Sequence, residues 1–386
     1  MRVLIVLTYF QPHKSGLTVY AVRQARALAA RGHQVTVLTS QYDRSLAKEE
    51  WDEGVQILRL PVAFHLSKGV IMPSIPKMAW SLIGEADVVN LHVPQVDAAL
   101  VGLFCKLRKK PLILTYHCDL EMPNGLINQL AGKIASLANF VAAVLADKIV
   151  HNTRDFAEHS AFLKRFMDKL VVIQPPIVVK SVSDEDIHNF SEKYDFKPGQ
   201  KVIGMVARLA TEKGVEYLAQ AMPIVLQSMP EARAVFLGDY QHVFGEQAYK
   251  QRLMPLFKDL GSKWRFLGVL SEHEKATFYH LCKVLVLPSI NSTESFGMVQ
   301  VEAMSCGTPV VATDLPGVRQ PILSTGMGKI VPIQDSEALA KAIIVVLGSK
   351  DLVNPEKVVD LVKHYSLESV AQAYEALYQQ LLMKNG

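Results

Sequence analysis

The chain has 386 residues, 49% of them hydrophobic and 20% charged, with a formal net charge of +4. That length exceeds one ordinary core and implies two domains of about 150–200 residues each, in a chain composed like a folded protein rather than a disordered one. Residues 1–190 hold 21 Lys and Arg against 17 Asp and Glu, leaving 20 against 20 for the remainder, which excludes the basic density of a nucleic-acid binder and points only the first half toward an acidic or membrane-surface partner.

The opening residues hold an apolar run too short for a signal peptide and lack a small-residue cleavage site, so Arg2–Leu7 reads as the first buried strand. Further strands are expected at Gln34–Leu38, Val55–Arg59, Asp87–His92, Leu112–Tyr116, Lys148–Asn152 and Leu170–Ile173, with helices at Val19–Arg31 and Asp97–Arg108. Ile134–Ala146 is apolar but interrupted by Ser136 and Asn139, falls short of a membrane span, and reads as a core helix. Gln174–Asp186, with paired prolines and an acidic end, reads as a linker. The pattern then restarts with strands at Val202–Ala207, Arg233–Leu237, Trp264–Leu267, Val284–Leu287, Pro309–Ala312 and Lys329–Val331, and helices near Gly214–Leu226 and Glu337–Leu347.

Apolar strands alternating with helices specify parallel sheets covered on both faces. The expected class is therefore α/β, two doubly wound Rossmann-like domains at 1–176 and 177–365, with ligand at the carboxyl ends of the strands in the crevice between them. Cys105, Cys118, Cys282 and Cys306 form no Cys-x-x-Cys pair and no zinc spacing with His, and read as reduced thiols of a cytosolic protein.

The residues with chemical potential fall at predicted strand ends. Asn291–Val310 contains Glu294 and Glu302 around a Ser-Phe-Gly turn, with a helix opening at Phe296 or Gly297. A glycine turn that opens a helix aims unpaired N–H groups and the positive end of the helix dipole at a ligand, and phosphate is the natural guest. Carboxylates accept charge-assisted hydrogen bonds from sugar hydroxyls. Arg208 offers a planar fork and Lys213 a compact charge on a second loop that enters a helix. They read as a pyrophosphate clamp, against the plainer alternative of a solvated loop with Glu212 as neighbour. Gly16 lies in a strand-to-helix turn that lacks the Gly-x-Gly-x-x-Gly fingerprint. His117 stands just beyond a strand end, where a cleft-facing imidazole is expected, and His92 lies at another. Asp184-Glu-Asp186 has the form of a metal-sugar-nucleotide motif but reads as a solvated charge run, so no metal site is assigned.

Val206–Gly214, Phe266–Leu270, Pro288-Ser289 and the Glu294/Glu302 segment running to Thr313 resemble the C-terminal domain of retaining GT-B glycosyltransferases of family 4. Asp314–Pro321 and Gly326-Met-Gly328 continue a likeness that covers nearly the whole chain. The resemblance implies a GT-B fold with a deep interdomain cleft and a last helix, within 366–386, that completes the first domain. It implies that Arg208, Lys213 and the amides of Gly297, Met298 and Val299, in the turn with Phe296, hold the diphosphate of a nucleotide sugar. Glu302 would hold the ribose, Glu294 the transferred sugar, and Leu270 and Lys275 the base. Gly16 would approach the phosphates, and His117 the sugar and its reacting face. The chain departs from the family in having Ser15-Gly16 for a Gly-Gly pair and Pro175-Pro176-Ile177 where an Asn-Gly follows the linker proline.

The implied reaction is metal-independent, front-face transfer of a hexose, with retention, to a hydroxyl of a glycan or lipid-linked acceptor, as in polysaccharide biosynthesis. UDP-glucose is the first choice of donor, followed by UDP-N-acetylglucosamine and GDP-mannose. A nucleotide-sugar 2-epimerase and a non-enzymatic two-domain sugar receptor are the alternatives. Leu60–Ile83, with Lys68 and Lys77, and the basic Lys106–Lys110 suggest peripheral docking on an anionic membrane at the inner face of the cell membrane; a solvated helix end and an ordinary loop are the plain alternative.

Overall fold

A computed structural model describes residues 1–66, 69–121, 125–243, 245–349 and 351–385, and so leaves Lys68 outside the described residues. The chain divides into two compact units, Met1–Pro176 together with His364–Gly386, and Ile177–Lys363.

The first unit contains β1 (Arg2–Val6), β2 (Gln34–Gln41), β3 (Glu49–Asp52), β4 (Val55–Pro61), β5 (Phe64–Leu66), β6 (Gly69–Ile71), β7 (Val88–Val93), β8 (Leu112–Tyr116), β9 (Lys148–His151) and β10 (Leu170–Val172). Its large sheet has the order β10-β9-β8-β7-β1-β2-β4-β3, and β5 and β6 form a separate hairpin. All pairings in the large sheet are parallel except β3 with β4. Every residue of β7 and β8 is buried, as strands covered by helices on both faces must be. The helix Gly16–Ala30 lies against the terminal helix Leu367–Asn385, whose Tyr374 and Tyr378 are fully buried in the same apolar cluster as Ile5, Val37 and Leu28. A polar seam runs through that cluster. The Tyr378 hydroxyl accepts from Asn90 at 3.2 Å and Gln24 at 3.4 Å, while Tyr374 meets Tyr20 at 2.8 Å and Thr115 at 3.2 Å.

The second unit contains β11 (Lys201–Val206), β12 (Ala232–Leu237), β13 (Trp264–Gly268), β14 (Val284–Leu287), β15 (Val310–Thr313) and β16 (Gly328–Val331). They form one parallel sheet in the order β13-β12-β11-β14-β15-β16. The winding reverses between β11 and β14, which makes the carboxyl ends of these two paired strands the position where doubly wound sheets bind ligands.

Three segments differ from the sequence expectation. Asp184–Asp186 is not linker: it is the first turn of the helix Asp184–Lys193, where the Ser183 hydroxyl accepts from the Asp186 amide and the Asp186 carboxylate accepts from the Ser183 amide. Acidic side chains favour that position because they face the positive end of the helix dipole. Ile134–Leu145 is the later part of a longer helix, Leu126–Leu145, which lends Ala138, Ala142 and Ala143 to the core but leaves Ile134, Leu137 and Val144 49%, 65% and 50% exposed. Leu60–Ile83, where the sequence reading places no strand or helix, holds the end of β4, the β5–β6 hairpin and most of the helix Ile75–Glu85, which buries Ile75, Ala79 and Ile83. No helix among the described residues is long and apolar enough to cross a membrane.

Candidate functional site

The loops that leave β11 and β14 are locked together by one glycine. Gly214 takes φ +61°, and a Cβ there would stand 2.1 Å from the carbonyl oxygen of Pro288. The Ile290 amide then donates to the Glu212 carbonyl at 3.1 Å. This contact places the single 3-10 turn Thr211–Lys213 beside the segment that follows β14.

Across the junction, Lys213 Nζ lies 2.7 Å from Glu294 Oε2, and both side chains are mostly shielded, at 18% and 16% exposure. At this separation the ammonium donates a direct charge-assisted hydrogen bond to the carboxylate. Arg208 is different: its guanidinium is half-exposed and pairs with Glu212 at 3.2 Å. The two cations therefore each have a carboxylate of their own, and only Lys213 reaches the Glu294 turn.

Gly297 precedes the helix Met298–Ser305, with φ +77° and a would-be Cβ 2.4 Å from Leu287 Cδ2. Only glycine allows the chain to turn this close to the end of β14. The turn is anchored from within: Gln300 Nε2 donates to the carbonyls of Phe296 at 2.5 Å and Val318 at 2.9 Å, and Phe296 is buried. Gly297, Met298 and Val299 hold the first amides of the helix, where the orphan donors and the positive dipole end coincide. Glu302, one turn further, is 3% exposed. Its Oε2 accepts from the Tyr279 hydroxyl at 2.9 Å and lies 3.2 Å from Lys275 Nζ. Burial and the neighbouring carboxylate push the Tyr279 hydroxyl's pKa far upward, so it remains a donor. Lys275 also pairs with Glu272 at 2.9 Å, and half-buried Leu270 packs against the apolar cluster of Phe278 and Leu237. Thus Lys213 with Glu294, and Lys275 with Glu302, form two separate ion pairs within the second unit.

The cradle has a second tier that sequence reading did not anticipate. Glu246 Oε2 accepts from the Thr211 amide at 3.1 Å and from its hydroxyl at 2.7 Å. Buried Glu216 takes a hydrogen bond from Tyr249 and one from Arg252 at 3.0 Å, while the Tyr249 oxygen accepts from the Val215 amide at 3.1 Å. These groups hold both ends of the Thr211–Gly214 turn. No local motif announces them, because each partner lies more than thirty residues away in the chain.

In the first unit Gly16 is exposed and opens its helix, with Ser15 as the cap that accepts from the Thr18 amide at 3.2 Å. His117 does not stand open at the sheet's end as expected. It is 8% exposed, stacked on His92 with His92 Nδ1 and His117 Nε2 2.9 Å apart, and touched by the edge of Tyr20. Burial, with His92 and His151 nearby, holds its pKa well below the ordinary imidazole value. His92 is thus His117's direct partner, and burial lowers its own pKa to about 3. The four cysteines are free, two of them buried.

The family model for glycosyl transferases group 1 matches residues 186–359, and that for glycosyltransferase family 4 matches residues 14–180. The phosphatidyl-myo-inositol mannosyltransferase of Mycobacterium leprae is 24% identical, over 98% of this chain and 96% of its own length. The Anabaena protein HepE, solved in complex with UDP, superposes with a TM-score of 0.77 at 20% identity, covering 98% of this chain and 100% of the other. Sucrose-phosphate synthase from Thermosynechococcus elongatus superposes at 0.76 and 20% identity over 99% of both chains.

Proposed function

The chain belongs to the family 4 glycosyltransferases of GT-B fold, and from that premise we propose that it moves a hexose from a nucleoside diphosphate sugar to a hydroxyl of a glycan or lipid-linked acceptor, with retention of anomeric configuration. The observation that carries the reading is the 2.7 Å pair of Lys213 and Glu294 at the mouth of the Gly297 helix. Each half suits one half of the donor. The ammonium takes phosphate oxygens and the carboxylate takes sugar hydroxyls, so donor binding exchanges one internal ion pair for two ligand contacts.

In this reading the amides of Gly297, Met298 and Val299 join Lys213 and Arg208 around the diphosphate, while Glu302, fixed by Tyr279, accepts from the ribose hydroxyls. Leu270 and Lys275 flank the base. As the anomeric C–O bond breaks, its electron pair goes to the β-phosphate oxygen, and the preorganised cations and amides stabilise the charge there. Donors of this kind contribute about 3–4 kcal/mol each at the transition state. The acceptor hydroxyl attacks the same face and passes its proton to the departing phosphate oxygen. The reading assigns no carboxylate as covalent nucleophile, which separates it from the paired-carboxylate scheme of retaining glycosidases, and it calls on no metal. His117, held neutral, suits a hydrogen-bonding role rather than a charged one.

UDP-glucose is the favoured donor, a choice supported by HepE having been solved with UDP-glucose, and GDP-mannose is the first competitor given the mannosyltransferase relatives. A lipid-linked acceptor would place the enzyme at the cytoplasmic face of a membrane. Thermal shift against a panel of nucleotide sugars identifies the donor. Lys213→Ala is expected to lower transfer about 100-fold or more while the circular dichroism spectrum stays native; near-normal turnover would overturn the assignment.

A further inference from the structure

The helix Leu126–Leu145 is built the wrong way round for a helix whose only task is to cover a core. It buries small residues, Ala131, Ala135, Ala138 and Ala142, and turns its large apolar side chains outward. Leu130, Ile134, Leu137, Phe140 and Val144 are 61%, 49%, 65%, 36% and 50% exposed. Their spacings of three and four residues put them on one face, a stripe about 20 Å long at 1.5 Å per residue.

The small inward residues let the helix sit close to its neighbour, Ala98–Leu107: a Cβ on Gly102 would lie 3.3 Å from the Ala142 Cα. That neighbour widens the apolar surface with Leu103 and Leu107, 47% and 61% exposed. Single exposed apolar residues are ordinary on a protein surface; a contiguous set this size marks a contact surface.

Charge selects the partner. Neither helix contains an Asp or Glu. Lys133 lies on the exposed face itself, and exposed Lys106 ends the neighbouring helix. On the other flank Phe140 packs against Phe166, the residue that follows exposed Lys164 and Arg165. An apolar stripe rimmed by cations is the chemistry of a helix that lies in the headgroup region of an anionic bilayer. A symmetric pairing of two copies through this face would set Lys133 and its cationic rim against like charges.

We propose that this face docks the protein on an anionic lipid bilayer. The inference rests on the reading of a lipid-linked acceptor for its purpose but not for its test.

The test is co-sedimentation of the full chain with vesicles of neutral phosphatidylcholine, with and without roughly one-third anionic phospholipid. Wild type is expected to bind only the anionic vesicles. Ile134→Glu with Leu137→Glu should lower the partition coefficient about tenfold or more, and Lys133→Glu, at an exposed position, should lower it with an unchanged melting curve. Val359→Glu, on an exposed helix of the second unit, should bind like wild type. Thermal shift with nucleotide sugars, run on the same variants, reads the transferase assignment separately. Equal binding to both vesicle types, no binding to either, or binding untouched by Lys133→Glu would overturn the proposal. So would a wild-type dimer that the double substitution makes monomeric without any vesicle binding.

Discussion

Replacing Gly214 by Ala tests whether the β11 and β14 loops are held together as described. The new Cβ would fall 2.1 Å from the Pro288 oxygen, in a backbone conformation at φ +61° that side chains rarely adopt. Holding a non-glycine residue there costs about 1–2 kcal/mol. Since a backbone oxygen cannot rotate aside, the two loops must also part by about 1 Å, the shortfall from a tolerable separation of 3.0 Å. That movement breaks the Ile290 to Glu212 hydrogen bond of 3.1 Å, worth about 1 kcal/mol net. The sum is about 2–3 kcal/mol on the Ile177–Lys363 unit, or a fall of about 5–10 °C in its melting temperature. The same movement withdraws Lys213 from Glu294, so affinity for a UDP-sugar should fall about tenfold or more, which is about 1.4 kcal/mol. Scanning calorimetry reads the first effect and isothermal titration the second. A variant that melts within a degree of wild type and binds donor normally would refute the argument, because it would mean that the junction tolerates a side chain.

Tyr279→Phe removes the hydroxyl that fixes Glu302 at 2.9 Å; donor affinity should fall by about 1.5–3 kcal/mol, measured by titration with UDP, and unchanged affinity would remove Glu302's fixed orientation from the mechanism. Tyr378→Phe strands the buried amides of Asn90 and Gln24, which should cost the first unit about 1–3 kcal/mol as a lower urea midpoint; an unchanged midpoint would mean that the Tyr378 hydroxyl adds nothing to the hold on the terminal helix. Acid should weaken the first unit through its histidines. Burial lowers the pKa of His92 to about 3 and of His151 to about 4, so between these values and the ordinary 6.5 the unfolded chain binds more protons than the folded one. Stability is then full above pH 6.5 and falls as pH drops toward 4, by about 2 kcal/mol per such histidine at pH 5. Urea titrations at pH 7 and pH 5 check this, and a His151→Asn variant should show a shallower fall.

The parallel strands were legible because burial on both faces leaves an unbroken apolar run, and Val284–Leu287 and Leu112–Tyr116 coincide with β14 and β8. The edge strand β3, Glu-Glu-Trp-Asp, was not, since its apolar neighbours lie across the pairing with β4 rather than in its own sequence. The hairpin β5–β6 is three residues to a strand, too short for any periodicity. In the candidate site, the glycines and charged residues at strand ends could be read locally, but which charges meet could not. Lys213 and Glu294 are 81 residues apart, and only the pairing of β11 with β14 in the sheet makes their loops adjacent.

The same physics explains the histidines. In parallel strands, residues at equal height share an end of the sheet whatever their sequence separation. His92 pairs in register with Thr115 and Thr115 with Val150, so His117, two residues beyond Thr115, comes out on the face of His92 and stacks on it, while His151, one beyond Val150, falls on the other face and lies against Tyr116 and Phe156. All three imidazoles are buried, and burial is what chiefly drives each toward neutrality, with His92 and His151 adding to the effect at His117. The strand register therefore places His117 against His92 in a buried setting that lowers its pKa, a property that inspecting residue 117 and its chain neighbours alone would miss.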